Sequence, residues 1–172
     1  MAFTSRGSLV PYGGPVLRRE TLANSITVTV NDSVKFASGF GALGTAGASV
    51  LGHVNGIVTN KGVGLNTTGV AGAEMGSFVG TFLTASDNQT VAFVRAEIDI
   101  SQTTVYSAEL SAAIGTTTGS NLPGYRMDLT DEDTLDESTA VTTTAQYATL
   151  GVDGVNSAQA SVYIFESQIF NT

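Results

Sequence analysis

From Ser25 onward the hydrophobic positions of the chain recur at every second residue. Ile26, Val28 and Val30 alternate with Thr27 and Thr29, which is the period of a half-buried strand. Val34 to Ala37 then reads as a hairpin partner across Asn31-Asp32-Ser33. The clearest run is 90–100, TVAFVRAEIDI. Ala92, Val94, Ala96, Ile98 and Ile100 fall on one face, and Arg95, Glu97 and Asp99 fall on the other. Asp87-Asn88 supplies the turn before it. Residues 50–59, VLGHVNGIVT, place Asn55-Gly56 between two apolar runs, a hairpin signal. Phe78 to Thr84 is a further strand, and 145–152 and 158–165 form a late pair joined around Asp153-Gly154. The last strand contains SVYIF, apolar on both faces, so it is either central or covered by a partner.

Helical periodicity is sparse. Ser107 to Ile114 fits two turns, and Asp131 to Ser138 fits another short helix. Twenty glycines and dense Val and Thr point instead to an all-β sandwich or barrel with long loops. The stretch Gly39–Gly80 is rich in Gly, Ala and other small residues, compatible with loops or with closely packed strands.

The first nineteen residues break the pattern. They carry Arg6, Arg18 and Arg19 without an Asp or Glu, and two of the three prolines, Pro11 and Pro15. Each proline disfavours helix and pushes the residue before it toward extended conformations. The leader is thus +3, while residues 20–172 hold four basic against fifteen acidic residues. This division predicts an extended N-terminal arm over 1–24, turning at Tyr12-Gly13-Gly14, and a single β domain over 25–172. An idle tail has no use for Phe3, Leu9, Val10, Tyr12, Val16 and Leu17. Arg6, Leu9, Val10, Tyr12, Val16, Leu17, Arg18 and Arg19 are therefore the candidate contact residues of the arm.

Composition narrows the function. With 172 residues and 42% apolar residues, the chain has enough to bury a core. Charged residues are only 13%, so the surface is mostly neutral and polar. A pI near 4.3 and only two lysines argue against nucleic acid as a partner, because phosphate binding needs clustered cations. The absence of cysteine removes disulfides, thiolate chemistry and Cys-ligated metals. No run approaches the ~20 apolar residues of a membrane helix, and no apolar signal-peptide core is visible. The expectation is synthesis in the cytoplasm of the producing cell and no membrane partner.

The motifs that could carry chemistry fail on their context. Gly39-Phe40-Gly41-Ala42-Leu43-Gly44 matches G-x-G-x-x-G, but the following TAGASV is a poor helix and no acid lies between Asp32 and Glu74. Six of the fifteen acids crowd into 128–137, DLTDEDTLDE. Calcium-loop spacing is not met there, since no glycine follows Asp131 and Asp133 in the required order. A solvated acidic loop or helix start, or a contact with a basic patch on a neighbour, fits better. His53 is the only histidine, and no nucleophile elbow accompanies it. A packed or surface histidine is the simpler reading. The sequons at Asn31, Asn66 and Asn88 read as turn and loop composition. The expectation is no catalytic residue, no metal and no cofactor.

The C-terminal third carries a resemblance. Residues 124–140 (GYRMDLTDEDTLDESTA), then AQYATLGVD and SVYIFESQIF, resemble segments of capsid-stabilising proteins of phages. With the low-charge β body and the leader, the chain looks like a decoration (cement) protein of a tailed-bacteriophage capsid. That resemblance implies a small β-sandwich or β-tulip-like barrel without enzymatic activity. It implies a homo-oligomer, trimer favoured over dimer, on the outer capsid surface of the virion. The partner implied is the major capsid protein, and the role is stabilising contacts between its subunits. The alternative is a host-facing or carbohydrate-binding β-sandwich of the fibre or adhesin type, which would display exposed aromatics on a groove.

Overall fold

The computed structural model describes residues 3–59, 81–84, 94–113, 123–141, 146–152 and 158–165. Among these residues the fold is all-β, with no helix. The strands are β1 (Thr4–Ser8), β2 (Leu17–Thr21), β3 (Thr27–Thr29), β4 (Ser33–Ala37), β5 (Phe40–Leu43), β6 (Gly52–Thr59) and β7 (Thr81–Leu83). They continue with β8 (Val94–Asp99), β9 (Thr104–Leu110), β10 (Arg126–Leu129), β11 (Thr134–Val141), β12 (Tyr147–Val152) and β13 (Gln159–Ile164).

Five strands close into a barrel in the order β9-β11-β10-β12-β13, and β13 pairs back onto β9. Closure removes the free edges that an open sheet exposes. β1 is antiparallel to β9 at residues 104–107, while β11 runs parallel to β9 at 109–110. The two thus share one edge of β9 in succession. The second sheet has the order β2-β8-β6-β4-β5. Its outer strands touch at a single parallel bridge, Leu22 to Gly41, supported by the Ala23 N–H donating to the Gly41 carbonyl at 2.8 Å. β3 and β7 form a small antiparallel pair.

Each body has its own core. Met127, Leu129, Leu135, Tyr147, Val162 and Ile164 are among those filling the barrel. Leu22, Val28, Val34, Leu51, Val54, Ile57, Ala96 and Ile98 fill the second sheet. Val50 belongs to the first core and its neighbour Leu51 to the second. The bodies meet closely at Gly44, where a Cβ would lie 2.8 Å from Ser33 Cβ and 2.9 Å from Leu129 Cδ1. Gln146, also buried, joins them: its Oε1 accepts the Leu129 N–H at 2.7 Å, and its Nε2 donates to the Thr45 carbonyl at 2.9 Å and to that of Ala48.

Several expectations are corrected. The helix expected over 107–114 is replaced by β9 up to Leu110, and the one over 131–138 by a turn leading into β11. β9 is paired along both edges and buried at most positions, a setting that overrides weak helix propensity. Asn55-Gly56 does not turn a hairpin. It sits inside β6 as a bulge, where the register against β8 shifts between Val54 and Gly56. β4 pairs with β5 and β6 rather than with β3. The G-x-G-x-x-G segment forms the β4–β5 turn and β5, with Gly39 at φ 85°. The β12–β13 pair stands as expected, and β13 is central, flanked by β12 and β9. Residues 60–80, 85–93, 114–122, 142–145 and 153–157 lie outside the described residues, and with them the expected Asp87-Asn88 and Asp153-Gly154 turns and parts of the expected strands.

The leader departs most from the expected arm over 1–24. Phe3 is fully buried in the barrel core, β1 pairs with β9, and β2 pairs with β8 through Leu17↔Asp99 to Thr21↔Arg95. Residues 3–8 and 17–22 are parts of the two bodies, so 1–24 does not stand apart from 25–172. The physical reason is a deep core site for Phe3 together with two sheet edges that take up backbone N–H and C=O groups.

Candidate functional site: the leader loop and the polar junction beneath it

Between β1 and β2 the chain leaves the sheets for residues 9–16. Both ends of this loop are fixed to the β8–β9 connection. The Leu9 N–H donates to the Thr103 carbonyl at 2.8 Å, and the Ile100 N–H donates to the Val16 carbonyl at 2.9 Å. The Val16 N–H donates to Asp99 Oδ1 at 3.1 Å, and Ser8 Oγ to Thr103 Oγ1 at 3.3 Å. Within the loop the Gly13 N–H donates to the Val10 carbonyl at 3.1 Å. A Cβ on Gly13 would meet Ser8 Oγ and come 2.7 Å from Val10 Cγ2, so a side chain there would require the Ser8 and Val10 side chains to move. Tyr12 adopts φ 62°, a left-handed conformation uncommon for a bulky residue.

This loop carries five of the expected contact residues into solvent. Leu9, Val10, Val16 and Leu17 are each roughly half exposed, and Tyr12 is 107% exposed. The expected arginines lie differently. Arg19 Nε and Nη2 both donate to Glu97 Oε1, at 2.9 and 2.8 Å. Arg18 pairs with Glu20 and lies over the Phe36 ring, 5.4 Å from its centroid. Arg6 sits on exposed β1. The structure thus separates an apolar tip from Arg18 and Arg19, whose charges are met within the molecule.

Beneath the loop lies a polar junction between the bodies. His53 and Asp99 are cross-strand partners of β6 and β8, on the face opposite the second core, and the barrel covers that face. This is why Asp99, on the polar side of an alternating strand, is 5% exposed. Its carboxylate accepts four donors. Oδ1 takes the Val16 and Ser101 N–H groups, and Oδ2 takes Thr104 Oγ1 at 2.8 Å and the Tyr106 hydroxyl at 2.9 Å. Burial, with the nearby Asp99 charge, pushes the Tyr106 hydroxyl well above its ordinary value, so Tyr106 stays a donor.

His53 is packed among rings: Tyr106 at 4.1 Å, Phe3 at 4.3 Å and Tyr147 at 5.7 Å between centroids. Burial pushes its pKa down to about 4, so the ring is neutral at pH 7. Nδ1 lies 3.0 Å from the Asn31 carbonyl and therefore carries the proton. Nε2 then accepts from the Tyr147 hydroxyl at 3.0 Å, and that hydroxyl in turn accepts from Ser33 Oγ at 2.8 Å. Among the described residues no buried side-chain nitrogen or oxygen lacks a partner. A cavity of about 50 Å³ touches Ser5, Pro15, His53, Asn55, Asp99 and Tyr106. It has room for a few water molecules and falls well short of the ~300 Å³ of a usual ligand pocket. The network's groups are saturated by one another, and its effect is to lock the two bodies and the loop together.

The acidic stretch 128–137 supplies the end of β10, a turn and the start of β11. The Ser33 N–H donates to the Glu132 carbonyl at 2.7 Å, bringing this turn against the Asn31–Ser33 turn. Asp32 there is 5% exposed and accepts the Thr29 N–H at 2.7 Å. Burial, reinforced by the charges of Glu132, Asp133 and Asp131, pushes its pKa up to about 7. Among the described residues no group of three or more His, Cys, Asp or Glu is placed to hold a metal ion. Sequence reasoning missed the His53–Asp99–Tyr106–Tyr147 junction because its members come from four strands with no shared spacing. The available signal was a lone histidine opposite an aspartate in two apolar strands.

No protein-family model matches the chain, and no curated protein and no solved structure matches it.

Proposed function

We propose that this chain is a non-enzymatic structural protein that binds the outer surface of a viral capsid and stabilises contacts between major capsid protein subunits. The observation that carries this reading is the 9–17 loop. Apolar side chains that would gain by burial are held in water by a loop hydrogen-bonded at both ends, as expected of a surface awaiting a protein partner. The low-charge composition and the resemblance of the C-terminal third to phage capsid-stabilising proteins support the same role. On this reading the barrel and second sheet correspond to the β-sandwich or β-tulip body of such proteins. The chain sits on the virion as a homo-oligomer, trimer favoured, and several copies of a modest contact gain avidity of roughly 10²–10⁴.

A carbohydrate-binding module is less well supported. It needs an exposed platform of several aromatic rings, and Tyr12 is the one fully exposed tyrosine: Tyr106 and Tyr147 are buried in the barrel core, and Tyr125 and Tyr163 are half-buried. The test is co-sedimentation of the purified protein with expanded heads of the phage that encodes it, prepared without it, followed by electron microscopy. The expected result is saturable binding and added density over junctions between capsid subunits. Heads that sediment bare at micromolar protein would refute the proposal.

A further inference from the structure

We infer that the loop recognises its partner by inserting Tyr12 into an uncharged apolar pocket of a protein subunit, and not by ion pairs from the leader arginines. This rests on the capsid-binding reading above and adds the chemistry of the contact.

Three observations carry it. The first is the position of Tyr12, whose ring is fully in solvent, while Leu9, Val10, Val16 and Leu17 on either side of it in the chain are half exposed. A tyrosine that docks buries on the order of 200 Å² and freezes only two side-chain torsions. Interface hot spots are enriched in this residue, ringed by apolar contacts that exclude water. The second is preorganisation. Four hydrogen bonds fix the loop's two ends, the Gly13 N–H closes on the Val10 carbonyl within it, and Tyr12 holds a left-handed conformation. Less loop entropy is therefore lost on docking. The third is charge. Arg19 makes a two-nitrogen contact with Glu97, and Arg18 is matched by Glu20. An acidic pocket would have to compete for cations already engaged.

The same charge argument separates a protein pocket from an anionic membrane. A lipid surface would attract a loop flanked by unmatched cations, whereas here Arg18 and Arg19 are each matched by a carboxylate and the whole chain is −8.

The experiment measures affinity for the same expanded heads at 50 and 500 mM NaCl. The variants are Tyr12→Asn, Tyr12→Phe and Arg18→Gln/Arg19→Gln. Asn tolerates the left-handed conformation, so Tyr12→Asn removes the ring with the turn kept, and its circular dichroism and Tm should match the wild type. The expected losses are thirtyfold or more for Tyr12→Asn and less than about threefold for Tyr12→Phe and for the double arginine variant. Wild-type affinity should change less than about threefold between the two salts. If wild-type protein binds and Tyr12→Asn binds equally, or if the arginine variant or high salt costs tenfold, the apolar-pocket inference fails and the capsid reading stands. If wild-type protein does not bind, both fail. Size-exclusion chromatography and flotation with phosphatidylcholine/phosphatidylglycerol vesicles complete the test. Tyr12-dependent self-association would put the pocket on a second copy, and Tyr12-dependent flotation would put the loop in lipid. Either result overturns the inference.

Discussion

Replacing Asp32 with Asn should change how stability depends on pH. Asp32 is buried in the Thr29–Ser33 turn, facing Asp131, Glu132 and Asp133 across the contact between the two bodies. Its pKa rises from 3.8 to about 7, so the folded chain holds this proton more tightly than the unfolded chain. Between those values the folded state binds more protons, and stability falls as pH rises through the window. At full strength a shift of this size is about 4 kcal/mol. Acids 131–133 are partly exposed, where water and salt screen them, which reduces the expected effect to about 2 kcal/mol. His53 acts with the opposite sign. With its folded pKa near 4 against 6.5, it costs stability as pH falls from 6.5 toward 4, so the wild-type curve alone is ambiguous. The difference between wild type and Asp32→Asn removes the histidine contribution. Urea denaturation followed by circular dichroism at pH 4.5, 6, 7 and 8 supplies that difference. Asp32→Asn should gain about 2 kcal/mol on the wild type between pH 4.5 and 8. A gap that stays constant across that range would show that Asp32 titrates normally and is not buried beside these acids as described.

Two substitutions test the packing that carries the loop. Phe3→Ala removes a ring that is 0% exposed and stacked on Tyr147 at 5.1 Å. It should cost about 3–5 kcal/mol by urea denaturation, whereas a cost below about 1 kcal/mol would mean that the leader is not part of the core. Gly52→Ala places a Cβ into the Asp99 carbonyl and 2.7 Å from Ile98 Cγ2. The β6–β8 pairing should therefore fail, seen as loss of soluble protein or a drop of more than about 3 kcal/mol, and wild-type stability would disprove the close approach.

How much of this was legible depended on where each residue's partner lay. β8 and the β12–β13 pair follow from alternation because their inner faces are apolar and their registers regular over most of their length. β9 and β11 were misread as helices for different reasons. β9 has buried side chains on both of its faces, so its buried positions do not alternate. β11 opens on the acidic turn, where DEDTLDE mimics a helix N-terminus. Asn55-Gly56 carries the turn chemistry of a hairpin, but the chain spends it on a bulge. Alternation puts Asp99 on the polar face with Arg95 and Glu97, and nothing in the strand's own sequence shows that a second body covers that face at Asp99. The apolar residues of the leader were legible as contact candidates, and the tip residues are indeed exposed. The partners of Arg18 and Arg19 were not legible, because Glu97 is distant in sequence and Glu20 shares β2 with them.

The leader also sets a schedule for folding. Its strands are joined to segments about eighty to a hundred positions further along: Ser8 and Thr103 are 95 residues apart, and Arg19 and Glu97 are 78. Neither β1 nor β2 can find its place until β8 and β9 are available, and closing loops of that span costs entropy before any contact repays it. Pairing of β1 and β2 is therefore a long-range event that completes an edge in each body. Until that event the loop tip has no fixed geometry, so a chain that has not finished folding cannot present Tyr12 in its docking conformation. If the loop docks as inferred above, recognition by its partner doubles as a check that the whole molecule is assembled.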